Sequence, residues 1–316
     1  MAHDHAHSHV GGSHAVSAAA DRGKLRIALG LILAFLVIEV VVGILVSSLA
    51  LLSDAAHMLT DAAALALSLV AIRLAQRPSR GSYTYGWQRA GILSAQFNGA
   101  TLLILGLLIV FEGIRRLADP PTVEGGAVLA VALLGIVVNL VATYVLSQAN
   151  RQSLNIEGSY KHILTDLLAF VFTAIAGLVI VTTGFDQADG IASLMVAAIM
   201  LHAAYGLLRD SGRVFLEAAP RGFDPDEIGR TLASHAGVDE IHDLHLWEVT
   251  SGFPAFSAHV TVDADADCHA LRLELEHELH ERFGLEHTTL QVDHRRPAEL
   301  LQVEVPGAVP APERGR

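Results

Sequence analysis

Long apolar stretches alternate with short polar breaks through the first two thirds of the chain. Residues 90–111, 125–150, 167–185 and 190–208 contain no Asp, Glu, Lys or Arg. Residues 27–53 contain only Glu39, and 49–72 are apolar apart from Asp54, His57 and Asp61. A helix that crosses a bilayer needs about 20 mostly apolar residues. The pattern predicts six spans, at about 27–47, 50–73, 90–114, 126–148, 158–183 and 188–208. Gly, Ala and Ser recur within them, as close helix packing in lipid requires. The pattern changes after residue 210. Asp224-Pro225 opens a helix to about 235, with Asp as N-cap and Pro at N1. Residues 241–249 and 255–262 read as strands around the Ser251-Gly-Phe-Pro254 turn. Residues 267–283 read as a helix with Leu271, Leu275 and Leu279 on one face, and 288–293 as a last strand. The order αββαβ is that of a small α+β sandwich.

Composition supports this division. The chain has 316 residues, 52% hydrophobic and 17% charged, with mean hydropathy +0.45. Residues 1–209 carry 12 basic and 12 acidic residues, so the whole net charge of −12 lies in 210–316. The expected organisation is a His-rich disordered tail over 1–24, a membrane domain over 25–210, a cytoplasmic domain over 211–296 and a disordered tail over 297–316. An acidic balance argues against nucleic-acid partners. A single Cys excludes a disulfide framework.

Eleven Lys and Arg fall on one side of the expected spans: Arg22, Lys24, Arg26, Arg73, Arg77, Arg80, Arg89, Arg151, Lys161, Arg209 and Arg213. Only Arg115 and Arg116 fall on the other, which predicts cytoplasmic termini. The opening Met-Ala-His-Asp is not expected to be a cleavable signal, because no apolar core follows it closely.

The chemistry is concentrated in a repeat. His57-Met-Leu-Thr-Asp61 in the second span matches His162-Ile-Leu-Thr-Asp166 in the fifth at four of five positions. A four-residue step puts each His and Asp on one helix face. Three spans separate the copies, so the two helices run in opposite directions, the pattern of an inverted repeat with a site near the midplane. Charged groups inside lipid are costly and mark function. Two imidazoles and two carboxylates form a four-ligand set suited to tetrahedral zinc. Asp54 is a further candidate ligand or partner. Glu39 and Glu112 are read as paired groups rather than proton relays. Asn139 is read as a hydrogen-bonding group towards a neighbouring helix.

With these features, the chain resembles the cation diffusion facilitator family of metal/proton antiporters. The resemblance rests on the run from Ser48 to Asp61, on Tyr85-Gly-Trp-x-Arg89, on His162-x-x-x-Asp166 and on His242-Asp-Leu-His-Leu-Trp247, and it covers about 25–295. It implies a Y- or V-shaped homodimer with a ferredoxin-like cytoplasmic domain on each protomer. It implies that His57, Asp61, His162 and Asp166 form the transport site, in the manner of the zinc-type branch. It also points to His242, His259, His269 and Asp293 as cytoplasmic metal ligands. Gln291 stands where some members have a further His. The loop Gly81–Gln88 lacks the His and Asp that some members carry, and no metal site is expected there.

The function expected is export of Zn²⁺, with Cd²⁺ or Co²⁺ as further substrates, from the cytoplasm across the cell membrane in exchange for protons. Zinc needs deprotonated ligands, so one site couples both ions. The N-terminal His3, His5, His7 and His9 read as loose metal capture. No His-Glu-x-x-His and no phosphate-binding Gly-x-x-x-x-Gly-Lys run occurs, so neither an enzyme nor ATP drive is expected. The alternative is a membrane metal sensor that signals through its cytoplasmic domain.

Overall fold

The computed structural model describes residues 11–45, 49–119 and 125–295; the side chains of 11–20, 42, 43, 45, 49–57, 125, 127 and 128 lie outside the described set. Six long helices come first: α1 (Gly11–Leu45), α2 (Leu49–Ala75), α3 (Ala90–Ala118), α4 (Gly125–Ser147), α5 (Leu154–Thr183) and α6 (Gln187–Phe215). They are followed by α7 (Pro225–Ala233), β1 (Val238–Thr250), β2 (Phe253–Val262), α8 (Cys268–Phe283) and β3 (His287–His294). Packing divides the chain into two units, one of residues 1–220 with Trp247–Pro254, the other of Arg221–Leu246 with the remainder from Ala255.

Within the first unit, α2 to α6 are each long and apolar enough to cross a membrane. Their outward faces are apolar, with Phe111 68% and Tyr144 66% exposed. A water-facing surface would not carry such a band. The first unit is a multi-pass membrane domain. α1 begins at Gly11, inside the stretch expected as a disordered tail. Ala15, Ala18, Ala19 and Ala20 account for this, since Ala is the strongest helix former.

One core joins α1, α2, α4 and α5, through Leu25, Ile32 and Phe35, Met58 and Leu65, Leu146, and Ile156 and Ile163. A second joins α3 and α6 around Leu102, Val196, Met200 and Leu207. The α3–α6 contact follows a stripe. Gly99, Gly106 and Gly113 recur every seven residues on α3, and Leu194, Leu201 and Leu208 every seven on α6. A Cβ at Gly106 would lie 3.0 Å from Leu201 Cδ2, and one at Gly113 would lie 3.0 Å from Leu194 Cδ2. Seven residues are about two helical turns. The glycines therefore form one flat face on which the leucines lie, as small residues permit in lipid.

At the far end of this pair, Arg116 Nη1 lies 2.6 Å from Asp189 Oδ2 and Arg116 Nε 3.1 Å from Glu112 Oε1. Glu112 is thus a paired group. Asn139 differs from expectation. Its Nδ2 donates to Gly135 O, four residues back in its own helix, at 3.1 Å. The neighbouring α5 presents Phe170 to Gly135, and an aromatic ring edge offers an amide no carbonyl.

The second unit has the expected αββαβ order, with the sheet in the order β1-β2-β3. β1 and β2 are joined through Ser251-Gly252, a connection available only to an antiparallel pair. β2 pairs with β3 in parallel, Ala258 opposite Leu290 and His259 opposite Gln291. Asp224 caps α7 by accepting from the Asp226 and Glu227 N–H groups, with Pro225 at the first helical position. Leu271, Leu275 and Leu279 are the buried face of α8.

The Trp247–Pro254 segment belongs to the first unit and contacts the helices there. Arg89 Nε donates to Val249 O, and Thr250 Oγ1 to Gln88 O, each at 3.1 Å. Glu248 Oε1 accepts from the Gly252 N–H at 2.6 Å. Burial pushes the Glu248 carboxyl above its ordinary pKa, and that N–H opposes the shift. The most consequential contact is at α5. Ser153 occupies the N-cap position without a side-chain cap hydrogen bond. The Leu154 N–H donates instead to Ser251 Oγ at 3.1 Å. Ser251→Ala is expected to cost about 1 kcal/mol, as loss of an N-cap does. Hydrogen exchange at Leu154–Glu157 should quicken, and Ser251→Thr should restore protection.

Candidate metal centre

α2 and α5 are antiparallel neighbours, and three contacts show it. Asp61 meets His162, Ser68 meets Ser159, and Asn155 reaches the Ser68 carbonyl. As numbering rises on α2 it falls on α5. The inverted repeat therefore brings its two copies face to face.

His162 Nε2 lies 2.8 Å from Asp61 Oδ1 and 3.9 Å from Asp166 Oδ2. Asp61 and His162 are each 1% exposed and Asp166 6%. One ligand atom from each of the three falls within 4.8 Å of the others, the only such group among the described residues. Zn–N and Zn–O bonds near 2.0–2.2 Å place adjacent tetrahedral ligands about 3.3–3.5 Å apart. The observed separations straddle that value, so sub-ångström side-chain movements would exchange the Asp61–His162 hydrogen bond for two metal bonds. His162 Nδ1 is buried and has no hydrogen bond among the described residues.

His57 is on α2 one turn before Asp61; its side chain, like that of Asp54, lies outside the described residues. The antiparallel register puts position 57 at the level of Asp166. Among the described residues, the shortest contact crosses between helices rather than running along the His162-x-x-x-Asp166 face. Spacing alone pairs His with Asp within a helix; packing brings Asp61 to His162.

The sequence reading passed over a polar layer beside this group. Ser68, Ser94, Asn98, Asn155 and Ser159 are all buried. A usable signal was present. Ser68 follows Asp61 by seven residues, and Asn155 and Ser159 precede His162 by seven and three, so these three share the faces that carry Asp61 and His162.

In the second unit, the His242 and His259 rings lie with centroids 5.4 Å apart. The β2–β3 register sets Thr261 opposite Asp293, and Asp293 Oδ2 accepts from Gln291 Nε2 at 2.8 Å. Pleating places His259, Gln291 and Asp293 on one face of the sheet, away from the core residues Ala258, Val260 and Val262. His269 is in the first turn of α8. Asp243, between the two His of the His242-Asp-Leu-His245 run, was not singled out from sequence. It has a positive φ of 52°. Its carboxylate lies 3.0 Å from His245 Nε2 and 3.8 Å from His259 Nε2. His3, His5, His7 and His9 lie outside the described residues. The Gly81–Gln88 loop is organised by stacking of Tyr83 on Trp87, at 4.7 Å between ring centroids.

Known proteins are similar to this chain over most of their length. The chain is 36% identical over 279 residues to the cadmium, cobalt and zinc/H(+)-K(+) antiporter of Bacillus subtilis, covering 87% of this chain and 89% of that one. It is 37% identical over 297 residues to the zinc transporter ZitB of Escherichia coli, covering 93% of each. It is 36% identical over 294 residues to the metal cation efflux system protein CzcD of Cupriavidus metallidurans, covering 93% and 90%. A solved structure of the metal-bound C-terminal domain of a CzcD transporter matches 22% of the chain at 32% identity, with a TM-score of 0.22. Residues 25–216 match the family model of the cation efflux transmembrane domain, and 220–295 that of the cation efflux protein cytoplasmic domain. Two matched domains in the order the hydropathy pattern requires, and full-length relatives, make this chain a member of the cation efflux family.

Proposed function

We propose that the protein exports divalent metal ions from the cytoplasm, Zn²⁺ foremost and Cd²⁺ or Co²⁺ as further substrates, in exchange for protons. The observation that carries this is the convergence of Asp61, His162 and Asp166 from two antiparallel membrane helices, all nearly excluded from solvent. His57 completes a His₂Asp₂ set. The relatives named as zinc, cadmium and cobalt transporters support the substrate class. Nitrogen and carboxylate ligands without thiolate suit zinc over magnesium or calcium.

Each ligand binds metal only when deprotonated. A loaded site releases its ion where protons are abundant and reloads where they are scarce. Cytoplasmic termini are supported by the basic residues flanking the spans, and the proposed site of action is the cell membrane. The cytoplasmic domain mediates a homodimer, with His242, His259, His269 and Asp293 as a structural Zn²⁺ site and the N-terminal His as a capture tract.

The test is Zn²⁺ uptake by wild-type proteoliposomes under an imposed pH gradient. Uptake should rise with the gradient and collapse when a protonophore dissipates it. Uptake indifferent to the gradient would replace exchange by uniport. No uptake at any gradient would favour the sensor.

A further inference from the structure

The buried polar layer on α2, α3 and α5 is unused by the chemistry above. We propose that it is a second cation station, built of neutral oxygens, that holds a divalent ion with part of its water shell before the ion reaches the His–Asp site. The inference rests on the transport reading.

Everything in the layer is anchored on Ser68. Asn155 Nδ2 donates to Ser68 O at 3.0 Å, and Asn98 Nδ2 to Ser68 Oγ at 3.5 Å. Ser68 Oγ lies 2.7 Å from Ser159 Oγ and 3.4 Å from Ser94 Oγ. Ser159 Oγ donates in turn to Asn155 O at 3.1 Å. The hydroxyl hydrogens and one hydrogen of each amide can be met within the layer. Two acceptors are left over, Asn98 Oδ1 and Asn155 Oδ1, both buried and without a hydrogen-bond partner among the described residues. Ser68 and Asn98 are 0% exposed and Asn155 is 2% exposed. Buried amide oxygens are rarely left unmet. Two of them, held on one residue, are acceptors that a cation or the hydrogens of its bound water would satisfy.

The chemistry of the layer sets the ligand class. It holds hydroxyl and amide oxygens and no carboxylate, imidazole or thiolate. Such hard, uncharged oxygens suit a divalent cation that retains water. They bind it weakly beside the charged His–Asp set, which is what a station passing ions onward needs. Position agrees. Ser68 lies seven residues beyond Asp61, about 10 Å along the helix axis, and Asn155 is displaced from His162 in the same direction. That direction leads to the ends of α2 and α5 marked by Arg73 and Arg151, the proposed cytoplasmic side. Gly91 and Gly158 border the layer: a Cβ at Gly158 would stand 3.6 Å from Asn98 Nδ2, and one at Gly91 would stand 3.6 Å from Asn155 Cβ.

The experiment uses full-length protein in detergent with Mn²⁺ as the probe, followed by electron paramagnetic resonance. Asp61→Ala with His162→Ala disables the principal site. Adding Asn98→Leu and Asn155→Leu to that background should remove one weakly bound, all-oxygen Mn²⁺ per protomer. An unchanged Mn²⁺ count overturns the station and leaves the layer holding water. Asn155→Asp guards against misfolding of the leucine variant. It preserves shape, adds charge, and should tighten the same Mn²⁺ at least about tenfold, because affinity at oxygen sites follows ligand charge; unchanged affinity also overturns the proposal. In otherwise wild-type protein, Asn98→Leu should slow Zn²⁺ uptake several-fold with Zn²⁺ affinity at the His–Asp site retained. The Mn²⁺ count does not depend on flux. Absent proton-coupled uptake with the Mn²⁺ present would fail the transport reading alone, and the reverse result would fail the station alone.

Discussion

His162→Ala is expected to lower Zn²⁺ flux by at least about 100-fold, since changes to residues that only orient a metal's ligands cost about 10–100-fold and His162 is proposed as a ligand itself. Its Nε2 lies within reach of both carboxylates, 2.8 Å from Asp61 and 3.9 Å from Asp166. Alanine removes that nitrogen from beside two buried carboxylates. Zn²⁺ binding measured by calorimetry should weaken in parallel. The helices themselves should persist, because the cores built on Leu25, Ile32 and Leu146, and on Leu102 and Met200, do not include His162. Circular dichroism and gel filtration check this. Wild-type flux in a folded His162→Ala protein would remove His162 from the transport path.

Gly135→Ala is the substitution expected to do most harm away from the site. A Cβ there would stand 2.5 Å from Phe170 Cδ1 and Cε1. Real contacts do not approach so closely, so the ring or a helix must move. The ring is confined on its other side by Phe35, edge-on at 6.0 Å between centroids. Overpacking of this kind costs about 1–3 kcal/mol. Phe170 is one turn beyond Asp166 on α5, so displacement of the ring is transmitted to a proposed ligand. A lower thermal midpoint in detergent and slower Zn²⁺ uptake are both expected. Phe170→Leu in the same chain should restore most of the loss. That coupling identifies the contact as the cause, since residues that touch are non-additive. An unchanged midpoint would show that α4 and α5 part freely at this crossing.

Several features were readable because they depend on neighbours in sequence. The Asp224 cap with Pro225 behind it appears as expected, since a capping side chain reaches only two or three residues. The leucine face of α8 follows from helical period alone. The first helix starts at Gly11, ahead of the start its polar composition suggests, because the alanines of 15–20 favour helix. Asn139 was assigned a partner on another helix and has one on its own. An amide four residues from a carbonyl always has that partner within reach, and a neighbouring helix competes only if it presents a polar group.

The sequence by itself determined the two-part chain, the membrane spans, and the doubled His-x-x-x-Asp with its inverted sense. These follow from local periodicity and from parity: three spans between two copies must reverse one of them. Only the tertiary structure decided which side chains meet. It set Asp61 against His162 across the helix boundary, put Gly135 beneath Phe170, and gathered Ser68, Ser94, Asn98, Asn155 and Ser159 into one buried layer. Those choices depend on the rotation of each helix about its axis and on how far it slides past its neighbour. Both are settled by packing along whole helices, through contacts such as Gly106 against Leu201, and no short window of sequence contains them.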